Sequence, residues 1–246
     1  MLPAELQKIM FLDIETVPQT ASLAELPAEL AHMWEEKYVQ IKSRMPDRYP
    51  VDMTAAEAYA GSAGIWAEFG KIVCISVGFI YFKGNEKCFR TKSFSGHDEA
   101  EILQGFAALL QKFCSTKEHT LCGHNIREFD IPYICRRMLI HKIALPDVLN
   151  IAGKKPWEVN FIDTLERWRF GDYKNYTSLK MLTAVFGIPT PKDDIDGSMV
   201  GEVYYKTGDV QRIAAYCQKD VIATAQVFLS LMAQPHISYN NIDIIL

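Results

Sequence analysis

The run Ile9-Met10-Phe11-Leu12-Asp13-Ile14-Glu15-Thr16 constrains this chain more than any other stretch. Its apolar residues follow one another without a helical period, which predicts a strand buried on both faces. Side chains alternate along a strand, so Asp13 and Glu15 share a side with Ile9 and Phe11. Two acids at the end of a buried strand repel each other and are poorly hydrated, a cost that something positive must offset. No Lys or Arg adjoins them, and hard oxygen donors of this kind suit Mg2+ or Mn2+. The competing reading makes one acid a helix cap and leaves the other in solvent.

A chain of 246 residues fits one large domain or two small ones. We find no repeat, low-complexity tract or linker, and expect a single domain over residues 1–246 with a mostly helical insertion at about 17–69. No apolar run approaches the roughly 20 residues that span a bilayer, and the N-terminus lacks the features of a secretory signal. The six cysteines form no CxxC pair and mostly fall among apolar neighbours, which predicts reduced core thiols in a cytoplasmic protein. A net charge of −4 argues against a broad basic face for nucleic acid. It leaves room for an enzyme that holds one strand end through metal ions.

Leu30, Trp34, Tyr38 and Ile41 recur at helical spacing between Pro27 and about Met45, and Thr54-Ala55-Ala56-Glu57 matches a capping box. Lys42, Arg44 and Arg48 read as a solvated face or as a lid over phosphates. Lys71–Phe82 and Lys87–Phe94 predict two strands joined by a hairpin at Lys83-Gly84-Asn85-Glu86. The first three strands are therefore expected to be antiparallel neighbours. Further expectations are a helix over Asp98–Cys114, a strand over Thr120–Cys122, a helix from near Pro132 to Ile140, and a strand over Val159–Ile162 ending in Asp163. A helix capped at Thr177-Ser178 stops at Gly187, and a last long helix runs from about Asp209 to Met232. The order predicts an α/β fold with a mixed central sheet flanked by helices.

Two more acidic sites lie downstream. Gly123-His124-Asn125-Ile126-Arg127-Glu128-Phe129-Asp130 leaves a strand and enters a helix, where open α/β sheets place their chemistry. Asp130 reads equally as an N-cap, and Asn125 as a turn former. Tyr216 and Asp220, four residues apart, stack on one side of the last helix. Asp220 falls on the flank of that helix's apolar stripe, so its carboxylate needs a partner. Four acids without a matching His or Cys cluster fit two hard cations, which together clamp the attacking and leaving oxygens of a phosphoryl displacement.

Phe11-Leu12-Asp13-Ile14-Glu15-Thr16, the stretch from Asn125 to Phe129-Asp130, and Tyr216-x-x-x-Asp220 resemble the three motifs of the DEDD exonuclease superfamily. The chain looks most like bacterial predicted exonucleases related to the proofreading domain of family B DNA polymerases. Phe161-Ile162-Asp163-Thr164, Ser178-Leu179, Gly187-Ile188-Pro189 and Asp196-Gly197 extend the likeness. The resemblance implies a ribonuclease-H-like fold and a two-metal 3′–5′ exonuclease that releases 5′-mononucleotides, with DNA favoured over RNA. It implies that Asp13, Glu15 and Asp220 hold one Mg2+ or Mn2+, that Asp13 bridges to a second beside Asp130, and that Tyr216 orients the attacking water. The sister branch carries His one position before this Tyr; here that position is Ala215, so the Tyr-containing branch fits.

Asn125, Thr16, Phe129 and Lys192 are the candidate substrate contacts, for a single-stranded 3′ end. Phe129 and Trp168 read as core residues or as stacking rings, and Asp163 as a helix cap. Two other functions stay open on the same fold. One is a non-catalytic module that binds nucleic-acid ends. The other is docking, through residues 17–69, onto a replication or repair partner. Membrane association is not expected, and the sequence carries no sign of oligomeric state.

Overall fold

The computed structural model describes residues 2–116, 118–189 and 194–245. Strand β1 (Ile9–Pro18) follows a one-turn helix α1 (Pro3–Leu6). Helices α2 (Ala28–Arg44) and α3 (Ala55–Ser62) come next, and then the hairpin β2 (Gly70–Lys83) and β3 (Glu86–Ser95). The chain continues through α4 (Glu99–Phe113), β4 (Thr120–Gly123), α5 (Asp130–Ile140), β5 (Ile162–Asp163), α6 (Thr164–Arg169) and α7 (Leu179–Val185). It closes with α8 (Val200–Glu202), the long α9 (Val210–Leu231) and β6 (Ile242–Ile245).

The six strands form one sheet in the order β5-β4-β1-β2-β3-β6. β1, β2 and β3 are antiparallel neighbours, as expected, while β4, β5 and β6 join in parallel. The hairpin turns at Gly84, whose φ of 59° is a conformation that glycine takes without steric cost. Alternation along β1 decides what each face buries. Met10, Leu12 and Ile14 join the core built with Phe106 of α4 and Ile134 of α5. Ile9 and Phe11 face the other way, against Val221 and Phe228 of α9. Phe11 meets Phe228 edge-on at 5.6 Å between ring centroids. The sheet thus lies between an α4–α5 layer and α9, and residues 221–229 of α9 are all buried.

Two predicted caps are in place, at Thr54 and Ser178, and the helix starts expected at Asp98 and Asp209 are capped as well. Thr54 forms its capping box with Glu57, and the Asp98, Ser178 and Asp209 side chains accept amide hydrogens at the starts of α4, α7 and α9. Residues 17–69 build their own small core, in which Trp34 packs edge-on against Tyr59 and Phe69. Lys42, of the basic group in this segment, donates to the carbonyls of Val51 and Met53.

One expectation changes, and one strand is added. β5 contains only Ile162 and Asp163, not Val159–Ile162. The carbonyls of Val159 and Phe161 accept hydrogen bonds from the Arg127 guanidinium, and that of Asn160 accepts one from the Thr120 hydroxyl. Those groups are spent before a longer ladder can form. The edge strand β6 was not foreseen; it lies along Phe89–Lys92 of β3.

Candidate active site

The acids of β1 face α9. Asp13 pairs across the ladder with Ser76, and Glu15 with Cys74, just before a register shift between Glu15 and Thr16. Cys217, one turn from Ile213 on α9, lies against them. Its Sγ donates to the Asp13 carbonyl oxygen at 3.4 Å and to Asp13 Oδ2 at 3.5 Å. Ligand atoms of Asp13, Glu15 and Cys217 lie within 4.8 Å of one another, a spacing that one metal ion can bridge.

Asp130 arrives from the neighbouring strand. β4 runs beside β1 only as far as the Phe11–Cys122 pair, so the edge of β1 is open beyond it. The chain leaving β4 turns at Asn125, whose φ is 64° and whose carbonyl accepts the amides of Glu128 (3.2 Å) and Phe129 (3.0 Å). Asn is among the few residues that tolerate this backbone region. The N-cap position of α5 is Phe129, and Asp130 is the first helical residue. The capping role open to Asp130 in the sequence is therefore not the one it has. Its carboxylate takes hydrogen bonds from its own amide and that of Ile14.

Electrostatics tie the acids together. Burial, then the charges of Asp130, Asp220 and Glu15, push the Asp13 carboxyl well above the usual range, against a smaller opposing hydrogen bond from Cys217. Burial, then Asp220, Cys74 and Asp130, do the same to Glu15. Asp130 is pushed up to about 7, first by burial. Tyr216 donates its hydroxyl to Asp220, and burial with the charges of Asp220, Glu15 and Asp13 holds its proton far more tightly than usual. The structure therefore brings Asp13, Glu15, Asp130, Asp220 and Tyr216 into one electrostatic unit.

Above the acids opens a cleft of 260 Å³. Asp13, Asp130 and Asp220 wall it, with Asn125 and Phe129 beside them. Phe129 also packs against the core and leans on Tyr133. His124, Tyr176 and Leu179 line the cleft too; none of them is among the site residues expected from the sequence, although His124 lies in the second acidic stretch and Leu179 in the Ser178-Leu179 helix start. For His124 the available signal was its place between the β4 exit and Asn125. Tyr176 carried no local signal. Thr16 is half-buried beyond the register shift, hydrogen-bonded to Tyr133, and does not line the cleft. Trp168 packs edge-on against Phe186. Lys192 lies outside the described residues.

Asp163 has a structural post. Its carboxylate accepts the amides of Leu165 (2.9 Å) and Glu166 (3.3 Å), capping α6 as expected. It also accepts the amides of Asn125 (3.0 Å) and Arg127 (3.2 Å), which fastens the turn that presents Asp130.

A mixed six-stranded sheet flanked by helices, with acids gathered where β1 and β4 part, defines an α/β domain of the ribonuclease-H-like kind. The chain belongs to the family of predicted 3′-5′ exonucleases related to the exonuclease domain of PolB, whose profile matches residues 65–238. Membership points to a nuclease acting on nucleic acid. The match begins after β1, so Asp13 and Glu15 join the site through the fold and not through that match. Among solved structures, the family B DNA polymerase from the hyperthermophilic archaeon Pyrobaculum calidifontis is similar, with a TM-score of 0.53 and 14% identity. The likeness covers 92% of this chain and 24% of the polymerase, so the chain spans about a quarter of that protein. No curated protein matches the sequence.

Proposed function

We propose that this chain is a two-metal-ion 3′–5′ exonuclease of the Tyr-containing branch, one domain that shortens DNA in preference to RNA and releases 5′-mononucleotides. The observation that carries the reading is the convergence of Asp13, Asp130 and Asp220 on one cleft, with buried Glu15 beside Asp13 and under the charge of Asp220 and Asp130. Family membership supports it.

The donor set fits hard divalent cations. Carboxylates held protonated by burial and mutual repulsion are a penalty that bound Mg2+ or Mn2+ would remove. Asp13, Glu15 and Asp220 would hold the ion beside the attacking water, and Asp13 with Asp130 the second. Held by these carboxylates, two such cations would lower the pKa of a bound water and offset negative charge on the phosphate.

The chain's own residues do the rest. The Tyr216 hydroxyl keeps its proton throughout the physiological range and donates it in a hydrogen bond to Asp220 in this structure; its oxygen can accept a hydrogen bond from the attacking water and so orient it. Glu15 meets the terminal sugar hydroxyl. Asn125 and Phe129 contact the terminal nucleotide from the cleft wall. Attack by water breaks the terminal P–O3′ bond and leaves a shortened strand with a free 3′ hydroxyl.

Matched 5′-labelled single strands of DNA and RNA, incubated with Mg2+ or Mn2+, test this. Stepwise shortening with 5′-mononucleotide products, faster on DNA, is expected. Tight end binding without hydrolysis under any divalent cation would instead identify a non-catalytic end-binding module.

A further inference from the structure

The segment between α6 and α7 does something the fold does not need. Phe170, Tyr173 and Tyr176 recur every third residue, and they are 90%, 73% and 63% exposed. Aromatic side chains usually bury most of their area, so three bare rings in seven residues give up burial that a fold would otherwise use. Phe170 ends α6 at a φ of 45°, in a backbone region that glycine or asparagine normally fills at a helix end. Its ring belongs to no core cluster among the described residues.

The last of the three rings is fixed at the cleft. Tyr176 lines it with Asp13, Asp130 and Asp220. His124 holds it there: one ring nitrogen lies 2.9 Å from the Thr164 hydroxyl, the other 2.9 Å from the Thr177 carbonyl oxygen. The His124 and Tyr176 rings meet edge-on at 6.2 Å. Positive charge accompanies the rings. The Arg169 guanidinium lies 5.7 Å from the centre of the Tyr173 ring, and its buried Nε has no hydrogen-bond partner among the described residues. Lys174 stands between Tyr173 and Tyr176. Asp172, the acid of the segment, accepts the Lys174 amide and so serves the turn.

We infer that Phe170, Tyr173 and Tyr176 form a stacking track for single-stranded nucleic acid, which feeds a strand end into the acid-walled cleft. The inference rests on the proposed function for its direction and names the surface that holds the substrate. Exposed rings interleaved with Arg and Lys take bases by stacking and phosphates by charge, and every base offers a π-face, so the track tolerates any sequence. It also accounts for how a chain of net charge −4 holds a polyanion: the grip is local and aromatic, not a basic face. His124 is a positioning residue for this track.

Fluorescence anisotropy tests it on the full chain in EDTA, where no strand is cut. The probes are labelled single-stranded DNA and RNA of two and six nucleotides. Wild type should bind the six-nucleotide strands more tightly than the two-nucleotide ones. Phe170→Ala and Tyr173→Ala should each weaken six-nucleotide binding about tenfold, within the range measured for single stacking rings. Tyr173→Phe should restore it, because the ring and not the hydroxyl does the work. Trp157→Ala removes an equally bare ring (77% exposed) outside the segment and should leave affinity unchanged. The altered side chains are exposed, so unchanged melting temperatures will verify folding. A double Phe170→Ala/Tyr173→Ala variant that binds six nucleotides as well as wild type overturns the inference, and the exonuclease reading then stands or falls on its own digestion assay. Wild type that binds with this length dependence, loses it in the double variant, yet cuts nothing with Mg2+ or Mn2+ sustains the track and overturns the exonuclease.

Discussion

Asp163 Oδ1 accepts the backbone amide of Asn125 at 3.0 Å, and so joins the end of β5 to the turn that delivers Asp130. The same carboxylate also receives the amides of Arg127, Leu165 and Glu166. Asp163→Ala strands these donors in a buried place. We expect a stability loss of about 2–4 kcal/mol, summing a lost cap and unmet buried donors. Digestion should fall as well, since the turn that holds Asn125 and Asp130 loosens. Urea unfolding and a digestion assay check the two effects.

Asp13→Asn separates function from stability. The carboxylate lies within a partly buried cluster of like charge, so the neutral amide removes repulsion. In EDTA near pH 8 the variant should melt at a higher temperature than wild type. It should also lose at least about 10³-fold in turnover, because it removes a ligand shared by both ions. Thermal melts and initial rates on one preparation give both readings.

Tyr216→Phe should be milder. The ring stays and the acids keep their places, while the hydroxyl that now meets Asp220 is lost. Turnover should fall about 10–100-fold, the scale of one lost orienting hydrogen bond. Divalent-cation affinity by calorimetry should change little.

The metal-free protein should become less stable as pH rises. Asp130 titrates near 7 in the fold and near 3.8 unfolded. Between those values the native state holds the proton and the unfolded state does not, so stability is full below about 4 and is lost as pH climbs through 7. Asp130→Asn lacks this loss. In EDTA its melting temperature should gain on wild type from pH 5 to pH 8, by an amount equivalent to a few kcal/mol. Mn2+ should raise the wild-type melting temperature more at pH 8 than at pH 5.

Away from the cleft, Glu99 on α4 gathers three donors. Arg137 of α5 donates at 2.9 Å and 2.5 Å, the Ile72 amide of β2 at 2.7 Å, and His141 Nε2 lies 2.7 Å away. Glu99 and Arg137 are both buried. Breaking such a pair from one side leaves an unmatched charge, so Arg137→Met should cost about 3–5 kcal/mol. A urea titration measures it.

The parts that were legible in the sequence are those governed by local period. Alternation along Ile9–Thr16 put Asp13 and Glu15 on one side, and the fold keeps them there, against α9. A four-residue spacing put Tyr216 over Asp220, and they are hydrogen-bonded. The mixed sheet followed from a hairpin and the alternation of elements after it. What stayed hidden depends on distant partners. β6 exists because β3 offers it an edge, and nothing within Ile242–Ile245 announces that. Val159 and Phe161 look like strand residues until Arg127 takes their carbonyls. Cys217 and Cys74 read as plain core residues, yet they lie directly against the two acids of β1. Tyr176 reads as a loop residue until His124 pins its neighbour Thr177.

The central claim is that acids far apart in the chain act together on a strand end. Digestion of a 5′-labelled single strand by wild type and Asp13→Asn, each with Mn2+ and with EDTA, tests it most directly. A ladder of shortened strands and 5′-mononucleotides from wild type with Mn2+ alone is the predicted result. An intact strand in all four reactions, or equal shortening by Asp13→Asn, would contradict it.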